Sequence, residues 1–192
     1  FLSELTHYIT ISSFFVYNYF DYKFFSEKKI NNKFDNKYID EYTKCKIDSE
    51  LELYSSKLMD ITTILRLPFI FSADDYTNRF QRLCQISSES NKVILDSKFK
   101  YSLVRKDDAA EAIIKIFNSN PAGIIDLSNS GYATHKKLLE VINKSRPKSE
   151  NNKYYQEKNF PYLVKKDICL NSQKMIIDLP IIKAIKNEAK KY

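Results

Sequence analysis

Tyr42 and Lys46 are the residues whose types and spacing could carry acid–base chemistry. They stand four positions apart in a segment that predicts a helix, so both side chains fall on one helix face. A tyrosine has a reference pKa of about 10, and a nearby ammonium lowers that pKa because it stabilises the phenolate. Such a pair can exchange a proton near neutral pH.

The spacing alone is not specific, because four other pairs share it: Tyr19 and Lys23, Tyr132 and Lys136, Tyr154 and Lys158, Tyr162 and Lys166. Only Tyr42 opens a helix between two apolar β-type runs. Ser13, at the end of the first run, could donate a hydrogen bond to a substrate oxygen. The alternative is that Ser12 and Ser13 cap a strand and that Lys46 is solvated.

The elements around these residues predict a crossover unit of a parallel sheet. The sequence predicts a strand at His7–Ser13, a loop at Asn18–Tyr38, a helix from Asp40 to about Leu58 and a strand at Ile61–Leu67 that Pro68 ends. Asp40 is the expected N-cap of the helix. Its apolar positions are Tyr42, Cys45, Ile47, Leu51, Leu53 and Leu58.

Shorter elements follow Pro68. Helices are predicted at Asp75–Ile86, Asp107–Phe117, Thr134–Ile142 and from Pro180, and strands at Lys92–Leu95, Lys100–Val104, Gly123–Leu127 and Lys166–Leu170. Residues 146–160 are polar and predict a linker. One carboxylate of Asp107 and Asp108 is expected to be the N-cap of its helix.

Composition excludes several classes of protein. Of 192 residues, 43% are hydrophobic and 14% aromatic, which excludes wholesale disorder. The first residues lack a basic segment followed by a clean apolar run, so we expect no signal peptide, and no apolar run is long enough to predict a membrane-spanning helix. The cysteines Cys45, Cys84 and Cys169 are odd in number and far apart in the chain. They indicate reduced core thiols in a cytoplasmic protein. His7 and His135 lack ligand spacing, so we expect packing roles and no metal.

The formal net charge of +7 leaves two interpretations open. The lysines are spread along the chain beside many asparagines and isoleucines, which indicates compositional bias. Attraction to an anionic small molecule or to RNA is the alternative. No Arg-rich run or interleaved basic and aromatic repeat is present, so a nucleic-acid partner is not favoured.

The order of motifs resembles the extended short-chain dehydrogenase/reductase family, also called the NAD-dependent epimerase/dehydratase family. YITISSFFVYN resembles its strand-end serine motif, with Ser13 four before Tyr17. EYTKCKIDSELEL resembles its Tyr-x-x-x-Lys helix, with Glu50 four after Lys46. ILRLPFIF, SLVRKDDAAEAIIKIF and GIIDLSNSGYATHKKLLEVI resemble the elements that follow, so the likeness covers nearly the whole chain.

This resemblance implies roles for individual residues. Tyr42 would be the acid/base, Lys46 would hold the nicotinamide ribose and lower the tyrosine pKa, and Ser13 would polarise the substrate. The nicotinamide end of the cofactor would be lined by Ser12, Pro68, Phe69 and Ile70. On the substrate side, Lys100 would replace an arginine that contacts the nucleotide diphosphate. Arg79 and Arg82, on the helix after Pro68, could hold a diphosphate, or they could lie on a solvated helix face.

The resemblance also implies an α/β fold, the latter part of a doubly wound Rossmann-like sheet at residues 1–68 with a small mixed substrate-binding lobe at residues 69–192. The implied activity is NAD- or NADP-dependent epimerisation, dehydration or reduction of a nucleotide-activated sugar. The alternatives are a non-catalytic truncated homologue and an anion- or RNA-binding module.

The family's glycine-rich phosphate-binding turn has no counterpart among these residues, whose only glycines are Gly123 and Gly131. We therefore expect the chain to bind NAD(P) poorly by itself. The strands predicted near Ile9 and Ile64 would belong to a sheet with further strands. We expect the isolated chain to aggregate or to form a homodimer.

Overall fold

The structure, a computed structural model, describes residues 4–18, 40–89, 99–145, 167–170 and 177–191. The strands are β1 (Tyr8–Ser13), β2 (Thr62–Leu67), β3 (Phe69–Phe71), β4 (Leu103–Arg105) and β5 (Gly123–Asp126). The helices are α1 (Glu41–Ser55), α2 (Arg79–Glu89), α3 (Lys106–Ser119), α4 (His135–Ser145) and α5 (Ile181–Ala189), with short 3-10 helices at Phe14–Asn18 and Met59–Ile61. Across these ranges, no helix is long and apolar enough to cross a membrane.

The main sheet has the strand order β1-β2-β5, and both pairings are parallel. In its register Ser12 lies opposite Arg66, and Arg66 lies opposite Asp126. A parallel pair requires a crossover connection, and α1 lies in the connection between β1 and β2. The predicted α/β fold with a parallel sheet is therefore confirmed.

Helices cover both faces of this sheet. Leu65 belongs to a hydrophobic cluster that includes Ala112 and Ile116 of α3. Arg66, the next residue of β2, instead bonds Glu50 of α1. Because successive side chains of a strand point to opposite faces, α1 and α3 lie on opposite sides of the sheet. This is the doubly wound arrangement that the sequence predicts.

A second, smaller sheet pairs β3 with β4 in parallel. Helices α2, α4 and α5 surround its hydrophobic cluster, to which they contribute Phe80, Leu138 and Ile185. The break between the two sheets falls between β2 and β3, and β5 returns to the main sheet. The division into residues 1–68 and 69–192 stays a prediction.

Helix α2 begins at Arg79, not at the predicted Asp75. Residues 72–78 form turns, in which the amide of Asp75 bonds the carbonyl of Ser72 at 3.3 Å and that of Asn78 bonds the carbonyl of Asp75 at 2.9 Å. Asn78 has a left-handed φ of 55°. This conformation is incompatible with a helix that runs through residue 78.

Two predicted strands are shorter than expected. The Lys100–Val104 run pairs as β4 only from Leu103, while Tyr101 forms isolated bridges to Ala133 and Ile168. The bridge between Tyr101 and Ile168 is the pairing made by the predicted strand Lys166–Leu170. Residues 167–170 of that run are described. The predicted strand Lys92–Leu95, the linker 146–160 and most of the Asn18–Tyr38 loop lie outside the described residues.

The buried face of α1 differs from the one that apolar spacing predicts. Tyr42 and Cys45 are exposed, whereas Thr43, Ile47 and Glu50 are buried. Two of those three residues are polar. The Glu50 carboxylate bonds Ser12 of β1 and Arg66 of β2, so the helix packs on the sheet through hydrogen bonds as well as apolar contact. Hydrophobic periodicity cannot detect such a face.

The cysteine and histidine predictions hold in part. All three cysteines are free thiols, but only Cys84 is buried. Cys45 and Cys169 are exposed, so the prediction of core thiols is wrong for them. The two histidines pack as expected: His7 Nε2 lies 2.8 Å from a threonine hydroxyl on β2, and His135 is fully buried.

The predicted N-cap of α3 is wrong. Arg105 occupies the cap position without a side-chain capping bond, and Asp107 and Asp108 lie in the first helical turn. Asp108 pairs with the Arg105 guanidinium and accepts a 2.7 Å hydrogen bond from Asn129 Nδ2. An acidic side chain in the first turn still stabilises the helix, because its negative charge lies near the positive end of the helix dipole.

Asp40 caps α1 as predicted, because its Oδ1 accepts a 2.7 Å hydrogen bond from the amide of Thr43. We expect Asp40→Ala to lower the free energy of unfolding by about 1 kcal/mol, measured by urea denaturation. Asp40→Asn should recover most of this loss. Asp48→Ala, an exposed aspartate in the same helix, should change the stability by less than about 0.5 kcal/mol. An equal loss at both positions would contradict the capping role.

Candidate active site

A cavity of about 660 Å³ opens at the carboxyl ends of β1 and β2. In an open parallel α/β sheet this edge is where ligands bind. The residues that line the cavity are Ile11, Ser12, Ser13, Phe14, Phe15, Tyr42, Leu67, Pro68, Phe69, Ile70, Phe71, Ser72, Asp74, Asp75, Tyr76, Thr77, Arg79 and Lys106. Most come from β1, β3 and the turn before α2.

This cavity brings together most of the side chains that the sequence predicts for the site. Those that line it are Ser12, Ser13, Tyr42, Pro68, Phe69, Ile70 and Arg79. They come from segments that are separated by up to 67 positions in the chain, since 79 − 12 = 67. Lys46 and Lys100 are not among the lining residues.

Ser13 and Tyr42 are hydroxyl-bearing residues that line the cavity. The Ser13 hydroxyl oxygen accepts a 3.3 Å hydrogen bond from the amide of Phe15. No acceptor for its proton occurs within the described part of the chain. Tyr42 keeps 56% of its surface exposed. Both hydroxyls can therefore hydrogen-bond a ligand in the cavity.

Lys46 lies beside Tyr42 on α1. Its Nζ donates a 2.9 Å hydrogen bond to the main-chain carbonyl of Ile11 and lies 5.7 Å from the centroid of the Tyr42 ring. This bond anchors α1 to β1 one turn after Tyr42. An ammonium has three donors, so the contact with Ile11 leaves capacity for a ligand.

A buried ion pair holds α1 against the sheet beneath these groups. Arg66 Nε and Nη2 donate to the Glu50 carboxylate at 3.1 and 2.5 Å, and the two side chains are 1% and 2% exposed. The Ser12 hydroxyl donates to the same carboxylate. Two parallel Arg–carboxylate bonds fix both distance and orientation. The network thus positions α1 relative to the end of β1.

Tyr17 extends the network to β5. The Arg66 guanidinium lies 4.5 Å from its ring centroid, and its hydroxyl donates a 2.7 Å hydrogen bond to Asp126 Oδ1. Burial raises the pKa of Tyr17 well above its usual range; the negative charge of Asp126 also raises it and the Arg66 charge partly opposes them. Tyr17 therefore remains a neutral donor to Asp126.

Aromatic rings form part of the cavity wall. The Phe14 and Phe15 centroids lie 4.7 Å apart, and both rings meet the Phe69 ring nearly edge-on at 5.2 and 5.4 Å. Phe69 also meets Tyr101 at 6.0 Å. These spacings match favourable edge-to-face packing. The wall gives the cavity an apolar, shape-defining side.

Two basic residues, Arg79 and Lys106, also line the cavity. Arg79, the first residue of α2, is exposed and forms no ion pair with any residue that the structure describes. Lys106 pairs with Asp74 at 2.5 Å. The hydrogen bond from Lys106 stabilises the Asp74 carboxylate and lowers the pKa of Asp74 to about 2. Arg79 is therefore the cation available to an anionic ligand.

Sequence reasoning missed Lys106, Asp74 and Tyr76 as cavity residues. Lys106 reaches the cavity because β4, which precedes it, pairs with β3. The only local signal for the turn residues was the cluster of polar residues after β3, typical of a turn. No spacing rule connects a lysine with an aspartate 32 positions away.

Lys100, predicted to contact the substrate, lies elsewhere. Its Nζ sits 4.8 Å from the Tyr132 ring centroid, and its amide donates a 2.8 Å hydrogen bond to Asp167 Oδ1. The structure therefore does not bring Lys100 together with Ser13 and Arg79.

Solved structures similar to this chain include three nucleotide-sugar enzymes. UDP-N-acetylglucosamine 4-epimerase from Bacillus cereus is 14% identical with a TM-score of 0.65, over 96% of this chain and 64% of that one. UDP-N-acetylglucosamine 4-epimerase from Methanobrevibacter ruminantium M1, in complex with UDP-N-acetylmuramic acid, is 19% identical with a TM-score of 0.64, over 97% and 61%. dTDP-4-dehydrorhamnose reductase from Bacillus anthracis str. Ames, in complex with NADP, is 12% identical with a TM-score of 0.66, over 97% and 65%.

The chain has the Rossmann-like α/β fold of these enzymes. At 12 to 19% identity, the likeness establishes the fold. The chain spans 61 to 65% of the length of these three structures. No family model matches the sequence, and no curated protein matches it significantly.

Proposed function

We propose that this chain supplies the acid–base groups and the substrate end of an NAD- or NADP-dependent enzyme that epimerises, dehydrates or reduces a nucleotide-activated sugar. The observation that carries the proposal is the cavity at the carboxyl ends of β1 and β2. Its lining includes the hydroxyl residues Ser13 and Tyr42 together with the cation of Arg79. A nucleotide sugar has matching parts, since its reacting hydroxyls lie beyond an anionic diphosphate.

Each group has a role in this proposal. Tyr42 exchanges the proton of the reacting sugar hydroxyl, and Ser13 donates a hydrogen bond to the same oxygen. The ammonium of Lys46, beside the Tyr42 ring, stabilises negative charge on the phenolate. Arg79 binds the diphosphate, for which a guanidinium provides matching donors.

The nicotinamide end of a cofactor fits the groups beside Tyr42. Lys46 retains donors for ribose hydroxyls, and Ser12, Pro68, Phe69 and Ile70 line the adjoining part of the cavity. A nicotinamide, when bound, supplies the hydride exchange with a sugar carbon. The pyrophosphate of such a cofactor needs a glycine-rich turn, which these 192 residues do not contain.

Arg79 and Arg82 provide a matched test. Both are exposed arginines of α2, but only Arg79 lines the cavity. We expect Arg79→Ala to weaken the binding of UDP-N-acetylglucosamine by roughly 10- to 100-fold, because a hydrogen bond to a charged group contributes about 1.5–3 kcal/mol. Arg82→Ala should change the affinity by less than about twofold. Isothermal titration calorimetry measures both.

Two outcomes would contradict the proposal. Equal losses from the two variants, together with steep weakening by salt, would favour the general anion- or RNA-binding reading. If neither UDP-linked nor dTDP-linked sugars bound the parent chain at millimolar concentration, the assignment of the cavity to a nucleotide sugar would be wrong.

A further inference from the structure

Tyr76 is the most exposed of the large hydrophobic residues in the described part of the chain, with 94% of its surface accessible. It lies in the turn between β3 and α2 and lines the cavity together with Arg79. The other aromatic side chains of the cavity, such as Phe14 and Phe69, pack against one another. Tyr76 makes no ring contact of this kind with any residue that the structure describes, although it lines the same cavity.

The turn that carries Tyr76 is fixed by its own side chains. Asp75 accepts hydrogen bonds from the amide and the hydroxyl of Thr77, at 2.9 and 2.6 Å. The amide of Asn78 bonds the Asp75 carbonyl at 2.9 Å, and Asn78 adopts a left-handed φ. Such Asx bonds define one turn conformation. The backbone on both sides of Tyr76 is therefore held in place.

The turn is also tied to the rest of the fold. The amide of Ala73 donates a 2.9 Å hydrogen bond to the buried Glu188 carboxylate of α5, and its carbonyl accepts one from Gln81 at 2.9 Å. Asp74 pairs with Lys106 at the start of α3. Three different helices thus hold a turn whose central aromatic ring contacts almost nothing.

An exposed aromatic ring on a fixed turn is poised to stack on a ligand, because the backbone loses little further entropy on binding. The turn leads directly into Arg79 and is joined to the end of β2 by β3, whose three residues span roughly 10 Å. A ligand whose diphosphate lies at Arg79 would bring a neighbouring planar base close to Tyr76, three positions earlier in the chain.

We propose that Tyr76 is the stacking platform for the base of the nucleotide. This inference rests on the proposed function and adds a specificity residue to it. Base–aromatic stacking is tolerant of base identity, since every base has a π-face. Tyr76 therefore selects nucleotides over other anions, without selecting one base.

The test compares UDP with inorganic pyrophosphate, which lacks the base. In calorimetric titrations of the full chain, UDP binds more tightly than pyrophosphate. Tyr76→Ala lowers the UDP affinity by roughly 5- to 150-fold, the equivalent of stacking one base, and leaves the pyrophosphate affinity unchanged. Tyr76→Phe keeps the parent affinities because the ring remains. Tyr132→Ala, at an exposed tyrosine outside the cavity, also keeps them.

The outcomes separate this inference from the proposed function. If UDP and pyrophosphate bind the parent chain and Tyr76→Ala binds UDP equally well, the stacking role is overturned while the diphosphate site stands. If Tyr76→Ala weakens pyrophosphate as much as UDP, Tyr76 supports the turn and the stacking role is overturned. If the parent chain binds neither probe, the proposed function fails and the inference fails with it.

Discussion

Replacing Tyr42 with phenylalanine is expected to lower turnover of a nucleotide sugar by at least about 100-fold. The variant keeps the ring that opens α1 and deletes the one proton that the proposal transfers, and a positioned acid or base contributes roughly 10²–10⁴ in rate. Because Tyr42 is 56% exposed, its loss should leave the fold intact. The measurement is steady-state turnover of this chain joined to a glycine-rich cofactor-binding segment, which these 192 residues do not contain.

Tyr132→Phe is the matched control for this result. Tyr132 is 51% exposed, has a lysine four positions later and does not line the cavity. Its replacement should leave turnover near the parent value. Lys46→Ala should reduce both turnover and cofactor affinity, because Lys46 is assigned to the ribose as well as to the phenolate. Near-parental turnover of Tyr42→Phe would show that the catalytic assignment is wrong.

Replacing Glu50 with alanine is expected to lower the free energy of unfolding by about 3–5 kcal/mol, because it leaves the buried Arg66 guanidinium without its counter-charge. Both side chains are almost fully inaccessible to water, so solvent cannot replace the lost partner. The change also removes the acceptor of the Ser12 hydroxyl. Urea denaturation followed by far-UV circular dichroism measures the loss.

Two further variants isolate the charge effect. Glu52→Ala removes an exposed glutamate of the same helix and should change stability by less than about 0.5 kcal/mol. The double variant Glu50→Leu with Arg66→Met removes both charges, so it should be more stable than Glu50→Ala. This comparison remains informative if Glu50→Ala fails to fold. A double variant as unstable as the single one would contradict the buried-pair explanation.

The ion pair also shows why α1 was harder to predict than the strands around it. Its existence and its N-cap at Asp40 follow from short-range signals. Its buried face depends on Arg66, which lies 16 positions after Glu50. A buried carboxylate has the same sequence signature as an exposed one, so apolar spacing assigned Tyr42 and Cys45 to the wrong side of the helix.

The sequence by itself determined the parallel α/β class, because β-type apolar runs flanked a helical segment and a crossover between neighbouring strands favours parallel pairing. It also placed Ser13 and Tyr42 near one another, since the chain leaves β1 at Ser13 and enters the crossover helix close to Tyr42. Both conclusions depend on contacts between elements that follow each other in the chain.

Only the tertiary structure decided which charged residues reach the cavity. Arg79 and Lys106 line it and Lys100 does not. The reason is that β3 pairs with β4 across a segment of more than 30 residues, and the register of that pairing sets which side chains face the cavity. Likewise, the turn bonds that expose Tyr76 involve α2, α3 and α5 together. Long-range pairing of this kind depends on the packing of the whole chain, which local propensity and spacing do not encode.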